Sequence, residues 1–282
     1  MTMNKLLSAT RCENTEFKWS ERTYIMGICN LSPDSFSGDG LGHDIKAVVA
    51  QAKRFVADGA DIIDIGGEST RPGTEPASED AVDIEIGLVI PVIETLASEL
   101  TVPISIDTYK SSVAERAVKA GAGMINDIWG LKRDPEIAAV AAEAGVPLIL
   151  MSNQRDTPCL GDIMTEVISD LERGIKLAMK AGVRHENIFI DPGIGFGKSL
   201  KQNLEIIRRL AELKTLNMPV LLGTSRKSMI GLVLDLPPNQ RVEGTAATVA
   251  IGIANGADIV RVHDVRQMVQ VCRMSDAITK RR

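Results

Sequence analysis

Short apolar runs rich in β-branched residues alternate along the chain with longer stretches whose apolar positions recur at helical spacing. The runs cover 24–29, 61–65, 102–106, 123–126, 146–151, 187–190, 218–222 and 257–260. Each is followed by a helical pattern, at about 44–58, 80–99, 111–120, 134–144, 162–181, 199–215, 239–255 and 264–280. Asp44, Ser111 and Asp134 stand where helix N-caps are expected.

Alternating strand and helix patterns predict a parallel sheet, and runs apolar at every position suit strands covered on both faces. Gly59-Ala60, Gly121-Ala122, Gly145-Val146, Gly182-Val183 and Gly256-Ala257 punctuate the helix-to-strand joints, where a left-handed residue commonly ends a helix. Eight such units predict an α/β fold, a (β/α)8 TIM barrel in a single domain over 23–282, with a short N-terminal extension over 1–22. The competing open, doubly wound sheet would carry GxGxxG after its first strand. The chain has Gly27-Ile28-Cys29-Asn30 there instead.

Composition narrows the function. Lys plus Arg is 32 and Asp plus Glu 37 in 282 residues, a net charge of −5, and aromatics are 3%. A mildly acidic chain with so few stacking groups predicts no nucleic-acid partner. A hydrophobic fraction of 44% argues against disorder. No apolar run approaches the roughly 20 residues of a membrane helix, and the first 24 residues do not read as a signal peptide. Cys12, Cys29, Cys159 and Cys272 lack metal-binding spacing and read as reduced thiols of a cytoplasmic protein.

In a barrel the chemistry sits where strands end and loops begin. Every predicted exit carries polar groups: Asn30; Asp64 with Gly66-Gly67-Glu68; Asp107-Thr108; Asn126-Asp127; Ser152-Asn153-Gln154; Asp191; Thr224-Ser225-Arg226-Lys227; and Arg261 with His263-Asp264. One such Asp is as readily a helix cap as a functional group. Eight converging exits are harder to explain so. Asp64, Asp107 and Asp191, with Asn126, Lys227 and Arg261, would face one cavity and perturb each other's ionisation. Carboxylates and an amide there suit the paired N–H edge of an amino-pyrimidinone heterocycle. Arg226, Lys227, Arg261 and His263 suit an anion near the last two strands. Asn30 could share a Mg²⁺ with a diphosphate.

Three further features read more plainly. Pro192-Gly193-Ile194-Gly195-Phe196-Gly197-Lys198-Ser199 approaches the P-loop pattern but has Pro where that pattern needs Gly; its glycines suit a tight turn or close backbone approach. His43 and His185 read as surface residues. Strand alternation turns Cys29 away from Asn30, into the packing.

Residues 24 to about 274 resemble the bacterial dihydropteroate synthase family. The motifs that carry the likeness are Asn30-Leu31-Ser32-Pro33-Asp34-Ser35-Phe36-Ser37, Gly66-Gly67-Glu68-Ser69-Thr70-Arg71-Pro72-Gly73, Ile106-Asp107-Thr108, Ile125-Asn126-Asp127-Ile128, Asp191-Pro192-Gly193 with Gly195-Phe196-Gly197-Lys198, Ser225-Arg226-Lys227 and Arg261-Val262-His263-Asp264. The resemblance implies a transferase joining 6-hydroxymethyl-7,8-dihydropterin diphosphate to p-aminobenzoate in folate biosynthesis, a sulfonamide target, usually a homodimer. It implies Asp107, Asn126, Asp191 and Lys227 as pterin contacts, walled by Met151, Phe196 and Gly223. It places Asn30, Arg261 and His263 at the pyrophosphate, with Mg²⁺ as cofactor on Asn30. Phe36, Thr70, Arg71, Pro72 and Ser225, with Lys227, fall on the p-aminobenzoate side, Thr70 and Arg71 also reaching the pyrophosphate. Asp107, Lys227 and Arg261 are the implied catalytic groups, acting on a pterin cation left by departing pyrophosphate.

The chain departs from the family's usual pattern at Ser32, at Ser37-Gly38-Asp39-Gly40 and at Met151-Ser152-Asn153-Gln154. Two other readings stay open. A methyltetrahydrofolate–corrinoid methyltransferase would share the pterin contacts but not need Ser-Thr-Arg-Pro, Ser-Arg-Lys, Arg261 or His263. A non-catalytic pterin-binding protein would leave the anion groups without a task.

Overall fold

A computed structural model describes residues 7–19, 21–31, 44–68 and 80–279. The eight predicted runs form eight parallel strands: β3 (Tyr24–Asn30), β4 (Ile62–Gly66), β5 (Ile104–Asp107), β6 (Met124–Asp127), β7 (Leu148–Met151), β8 (Ile188–Asp191), β9 (Leu221–Leu222) and β10 (Ile259–Val262). They pair in the order β8-β7-β6-β5-β4-β3-β10-β9. A parallel bridge between Ile190 and Val220 joins the two ends into a barrel. Its seam is thin because Pro219 has no N–H to donate; only its carbonyl is used, by the Ile190 N–H at 2.9 Å.

Both strand faces are buried for different purposes. In β4, Ile63 and Ile65 face outward into the large core shared with the helices, where Cys29 also lies. Ile62 faces inward with Tyr24, Met26, Met124, Ile149, Phe189, Leu221 and Ile259, which fill the barrel's lower interior. All five predicted joint glycines take positive φ, between 70° and 113°.

The helices are α1 (Ile45–Asp58), α2 (Asp80–Glu99), α3 (Ser111–Lys119), α4 (Ile137–Ala144), α5 (Ile163–Lys180), α6 (Leu200–Arg208), α7 (Ser228–Leu234), α8 (Val242–Ala254) and α9 (Val265–Thr279). Asp44 caps α1 as expected, accepting the Ala47 N–H at 3.1 Å. Asp134 serves two helices: its Oδ1 accepts the Glu136 N–H at 3.1 Å ahead of α4, and its Oδ2 accepts the Ser111 N–H at 2.7 Å, so Asp134 rather than Ser111 caps the neighbouring α3. The predicted helix at 199–215 breaks after Arg208 and ends as a tighter 3₁₀ turn over Leu210–Leu216.

Two elements differ from the expectation. The first is α7, absent from the predicted helices. Its sequence Ser-Met-Ile-Gly-Leu-Val-Leu has no polar face to set a helical period. The second is the N-terminal extension, which contains a hairpin of β1 (Thr10–Cys12) and β2 (Thr15–Phe17). The hairpin closes the mouth where the strands begin. Phe17 and Trp19 are buried in the lower interior, with the Trp19 ring 4.9 Å from Phe189 and the Phe17 ring 4.9 Å from Tyr24. The opposite mouth, where the strands end, carries the polar groups.

Candidate active site

Strand register brings the expected residues to that mouth. Asn30 lies opposite Gly66, Gly66 opposite Asp107, and Asp107 opposite Asn126. Met151 pairs with Asp191 on the far side. Gly66 makes room between two of them: a methyl group there would sit 3.5 Å from Asp107 Cβ and 3.6 Å from Asn30 Oδ1. Gly223 does the same beside Arg261 Cβ, at 3.8 Å, and Asp191 Oδ2, at 4.0 Å.

Arg261 is the electrostatic centre. Its Nε donates to Asp64 Oδ2 at 2.6 Å and its Nη2 to Asp107 Oδ2 at 2.5 Å. Burial works against the guanidinium charge, but Asp64 and Asp107 outweigh it and hold Arg261 above its ordinary range. Burial pushes the Asp107 carboxyl up to about 7, with Arg261 opposing and Asp64, Glu85 and Asp127 adding to the rise.

The other wall holds a second charge group. Asp191 is 7% exposed; burial raises its carboxyl against the pull of Lys227, Arg261 and Lys198. Its Oδ1 accepts the Gly193 N–H at 2.7 Å, and its Oδ2 takes no hydrogen bond from a described residue. Burial lowers the Lys227 amine to about 8, Asp191 opposing. Lys227 donates to the Ile194 carbonyl and stands 4.6 Å from the centre of the Phe196 ring. Phe196 packs with Met151, Ile128 and Trp129 as an apolar wall. Asn126 is buried on the floor.

At the last strand's exit, His263 Nδ1 lies 3.0 Å from Ser225 Oγ, which also accepts the His263 backbone N–H at 3.2 Å. Arg226 does not join the anion group expected of it. Its guanidinium is paired with Asp264 at 2.6 and 3.0 Å, because a positive φ of 56° at Arg226 turns the chain toward the β10 exit. Asp127 is likewise a cap rather than a ligand group. Its carboxylate accepts N–H groups of Trp129 at 2.8 Å and Leu131 at 2.6 Å, and burial pushes it up to about 6.

The P-loop likeness dissolves. The Lys198 amine, lowered by burial to about 7, donates to the carbonyls of Ser152 (2.7 Å), Gly193 (3.0 Å) and Phe196 (3.3 Å). It is a pin for the loop, not a phosphate ligand. Sequence reasoning passed over this role, although a Lys closing a Gly-rich turn was the available signal. It also passed over Trp129, which the apolar stretch around Ile128 concealed. The departures at Ser152 and Asn153 are structural: Ser152 Oγ donates to Asp170 at 2.9 Å and Asn153 Nδ2 to the Ile128 carbonyl at 3.0 Å.

His185 is exposed as expected, and the four cysteines are free thiols. Phe36, Thr70, Arg71, Pro72 and His43 lie outside the described residues, as do Ser32 and Ser37-Gly38-Asp39-Gly40. Among the described residues no group of three or more His, Cys, Asp or Glu could hold a metal ion, and no helix is long and apolar enough to cross a membrane.

Comparison with known proteins agrees with this geometry. The family described as pterin binding enzyme matches residues 26–263. A dihydropteroate synthase of Bacillus subtilis is 53% identical over 260 residues, covering 92% of this chain and 90% of that protein. A crystal structure of the Clostridium difficile dihydropteroate synthase, in the presence of pteroic acid, superposes with a TM-score of 0.87 at 50% identity, covering 93% of this chain and 98% of that one. The Xanthomonas albilineans enzyme with 4-aminobenzoic acid gives 0.89 at 40% identity, over 96% and 98%.

Proposed function

The chain belongs to the pterin-binding enzyme family and, within it, to the dihydropteroate synthases, and on that premise we propose a division of labour among its residues. The reaction joins 6-hydroxymethyl-7,8-dihydropterin diphosphate to p-aminobenzoate, giving 7,8-dihydropteroate and pyrophosphate, a transfer step of folate biosynthesis. The observation that carries the assignment is the convergence of Asp107, Asn126, Asp191, Lys227 and Arg261 at one mouth of the barrel.

The pterin ring lies against Met151 and Phe196, with Gly223 leaving room at its edge. Asp191 Oδ2 and Asn126 take its amino-pyrimidinone edge, and Lys227 donates to a ring acceptor. A carboxylate receiving two parallel N–H groups fixes the ring's orientation. Arg261 and His263 hold the diphosphate. The bond between the pterin methylene carbon and the diphosphate oxygen breaks, and its electron pair leaves with pyrophosphate. The cation left behind is delocalised into the ring beside Asp107. In this partly dry cavity a carboxylate acts on that charge far more strongly than it would in water. The neutral amine of p-aminobenzoate then forms the C–N bond and loses one N–H proton. We assign p-aminobenzoate to Phe36, Thr70, Arg71, Pro72, Ser225 and Lys227, with Thr70 and Arg71 also reaching the pyrophosphate.

The donor set also fits Mg²⁺. That ion keeps several waters and takes substrate phosphate oxygens rather than a full protein cage, and Asn30 Oδ1 is a neutral oxygen across Gly66 from Asp107. Asn30 would hold the ion, which when bound neutralises the leaving diphosphate. Four free thiols support a cytoplasmic setting. The exposed apolar residues of α7, α8 and α9 support a homodimer.

A coupled assay with Mg²⁺, the pterin diphosphate and labelled p-aminobenzoate tests the assignment. Labelled dihydropteroate is expected, reduced roughly 10²-fold or more by Asp107→Asn. Full activity in that variant would remove Asp107 from its role. Tight pterin binding with no product would move the corrinoid-linked or binding-only reading forward.

A further inference from the structure

Asp64 is the deepest of the three ion-paired groups, with its side chain at 0% exposure against 10% for Asp107 and 19% for Arg261. It lies on β4 two residues before Gly66, opposite Ser105 in register, and its side chain is fully buried. Its Oδ2 receives Arg261 from Nε, and Nη2 of the same guanidinium is also 2.6 Å away. Its Oδ1 and the neighbouring Ser105 Oγ are buried with no hydrogen-bond partner among the described residues. A buried carboxylate with one oxygen unspent costs stability rather than adding it. Packing alone therefore does not account for an acid at this position.

Charge counting supplies a reason. Asp107 and Arg261 alone would make a neutral pair, and the Asp107 charge would be spent on the guanidinium. With Asp64 as a second anion on the same cation, the three groups carry a net charge of about −1 when ionised, so the cavity floor stays negative where the pterin cation forms. Geometry adds a second reason. When an arriving diphosphate draws Nη2 away from Asp107, Nε remains held from below by a strand residue. We propose that Asp64 is a positioning residue for the transfer step: it fixes Arg261 by Nε and so leaves Asp107 free to act on the developing cation. The inference rests on the roles assigned above to Asp107 and Arg261.

The test is a double-mutant cycle on the intact enzyme, with Asp64→Asn, Arg261→Lys and the pair. Asp64→Asn preserves shape and leaves Arg261 its Asp107 partner. Its Tm is expected to hold or rise, and its KM for the pterin diphosphate not to increase. Its kcat is expected to fall by about tenfold or more, the scale seen when a group that orients a reacting residue is lost. In the Arg261→Lys background the same substitution is expected to lower kcat by clearly less, about threefold at most, because the ammonium offers no Nε to be held and only the lost charge of Asp64 remains. Three results would overturn the proposal: a kcat within twofold of the parent, a loss that appears in KM together with a lower Tm, or a loss of equal size in both backgrounds. Activity of the parent enzyme, and the loss caused by Arg261→Lys alone, report separately on the reading beneath it.

Discussion

At the scale of single residues, the site works because desolvation moves acids and amines toward one another. Asp107 is pushed up to about 7 and Lys227 down to about 8, so both charges coexist only in a narrow window. A carboxyl raised to about 7 is already half protonated at neutrality and loses its remaining charge as pH falls further. An amine with a lowered value loses its proton in mildly alkaline solution. A bell-shaped profile of kcat/KM, which reports the free enzyme, is therefore expected, with limbs near pH 7 and pH 8. Between pH 8 and pH 6 the fraction of enzyme with both groups charged falls about fivefold, and kcat/KM should follow; a flat profile across pH 6 to 9 would refute the assignment. That Asp107, Asn126, Asp191 and Arg261 reach this mouth was legible in the sequence because each sits at the end of an apolar run, and Lys227 follows such a run within the same polar exit. Arg226 and Asp127 shared that signal and proved structural. Strand position says which mouth a side chain reaches, but not whether a nearby Asp264 or backbone N–H engages it first.

At the scale of elements, the turn from β8 to α6 shows how glycine serves the site without touching substrate. Gly193 has φ +70°, and a methyl group there would lie 2.0 Å from the Ser152 carbonyl oxygen and 3.1 Å from Lys198 Nζ. Its N–H also orients Asp191. Gly193→Ala should therefore combine left-handed strain with a backbone clash, costing about 2 kcal/mol or more. For a chain of this size that lowers Tm by roughly 3 °C or more. Pterin binding followed by calorimetry should weaken at least about fivefold. Gly145→Ala is the control: φ is also +70°, but nothing lies within 4 Å. It should show the backbone strain alone and normal pterin affinity. Equal pterin losses in both variants would sink the argument.

The same scale explains what pattern reading missed. A glycine-rich loop ending in Lys announced a turn, but its partners on the β7 exit are distant in sequence. The hairpin of β1 and β2 is made of three-residue strands, too short to show a period. Phe17 and Trp19 were visible as residues, yet only the closed barrel reveals the mouth they fill.

For the whole molecule, the barrel was legible because its repeat is long and its joints are marked by glycine. The assembly was not, because an interface leaves no period of its own. The exposed apolar residues of three helices nevertheless point to one. Helix α8 reads Val-Glu-Gly-Thr-Ala-Ala-Thr-Val-Ala-Ile-Gly-Ile-Ala over 13 residues with one charge, and a helix apolar on every side is usually covered on every side. The barrel buries Thr245, Val249, Gly252 and Ile253, while Ile251 is 52% exposed. Leu232 and Val233 on α7, and Met274 and Ile278 on α9, extend the apolar surface to either side. A twofold pairing would set identical patches face to face and cover them together. Sedimentation should thus give twice the chain mass at micromolar concentration. Ile251→Asp should give the single-chain mass with kcat retained, since this face carries none of the residues at the catalytic mouth. A parent that sediments as one chain, or a dimer indifferent to the charge at position 251, would show that another surface or partner covers these helices.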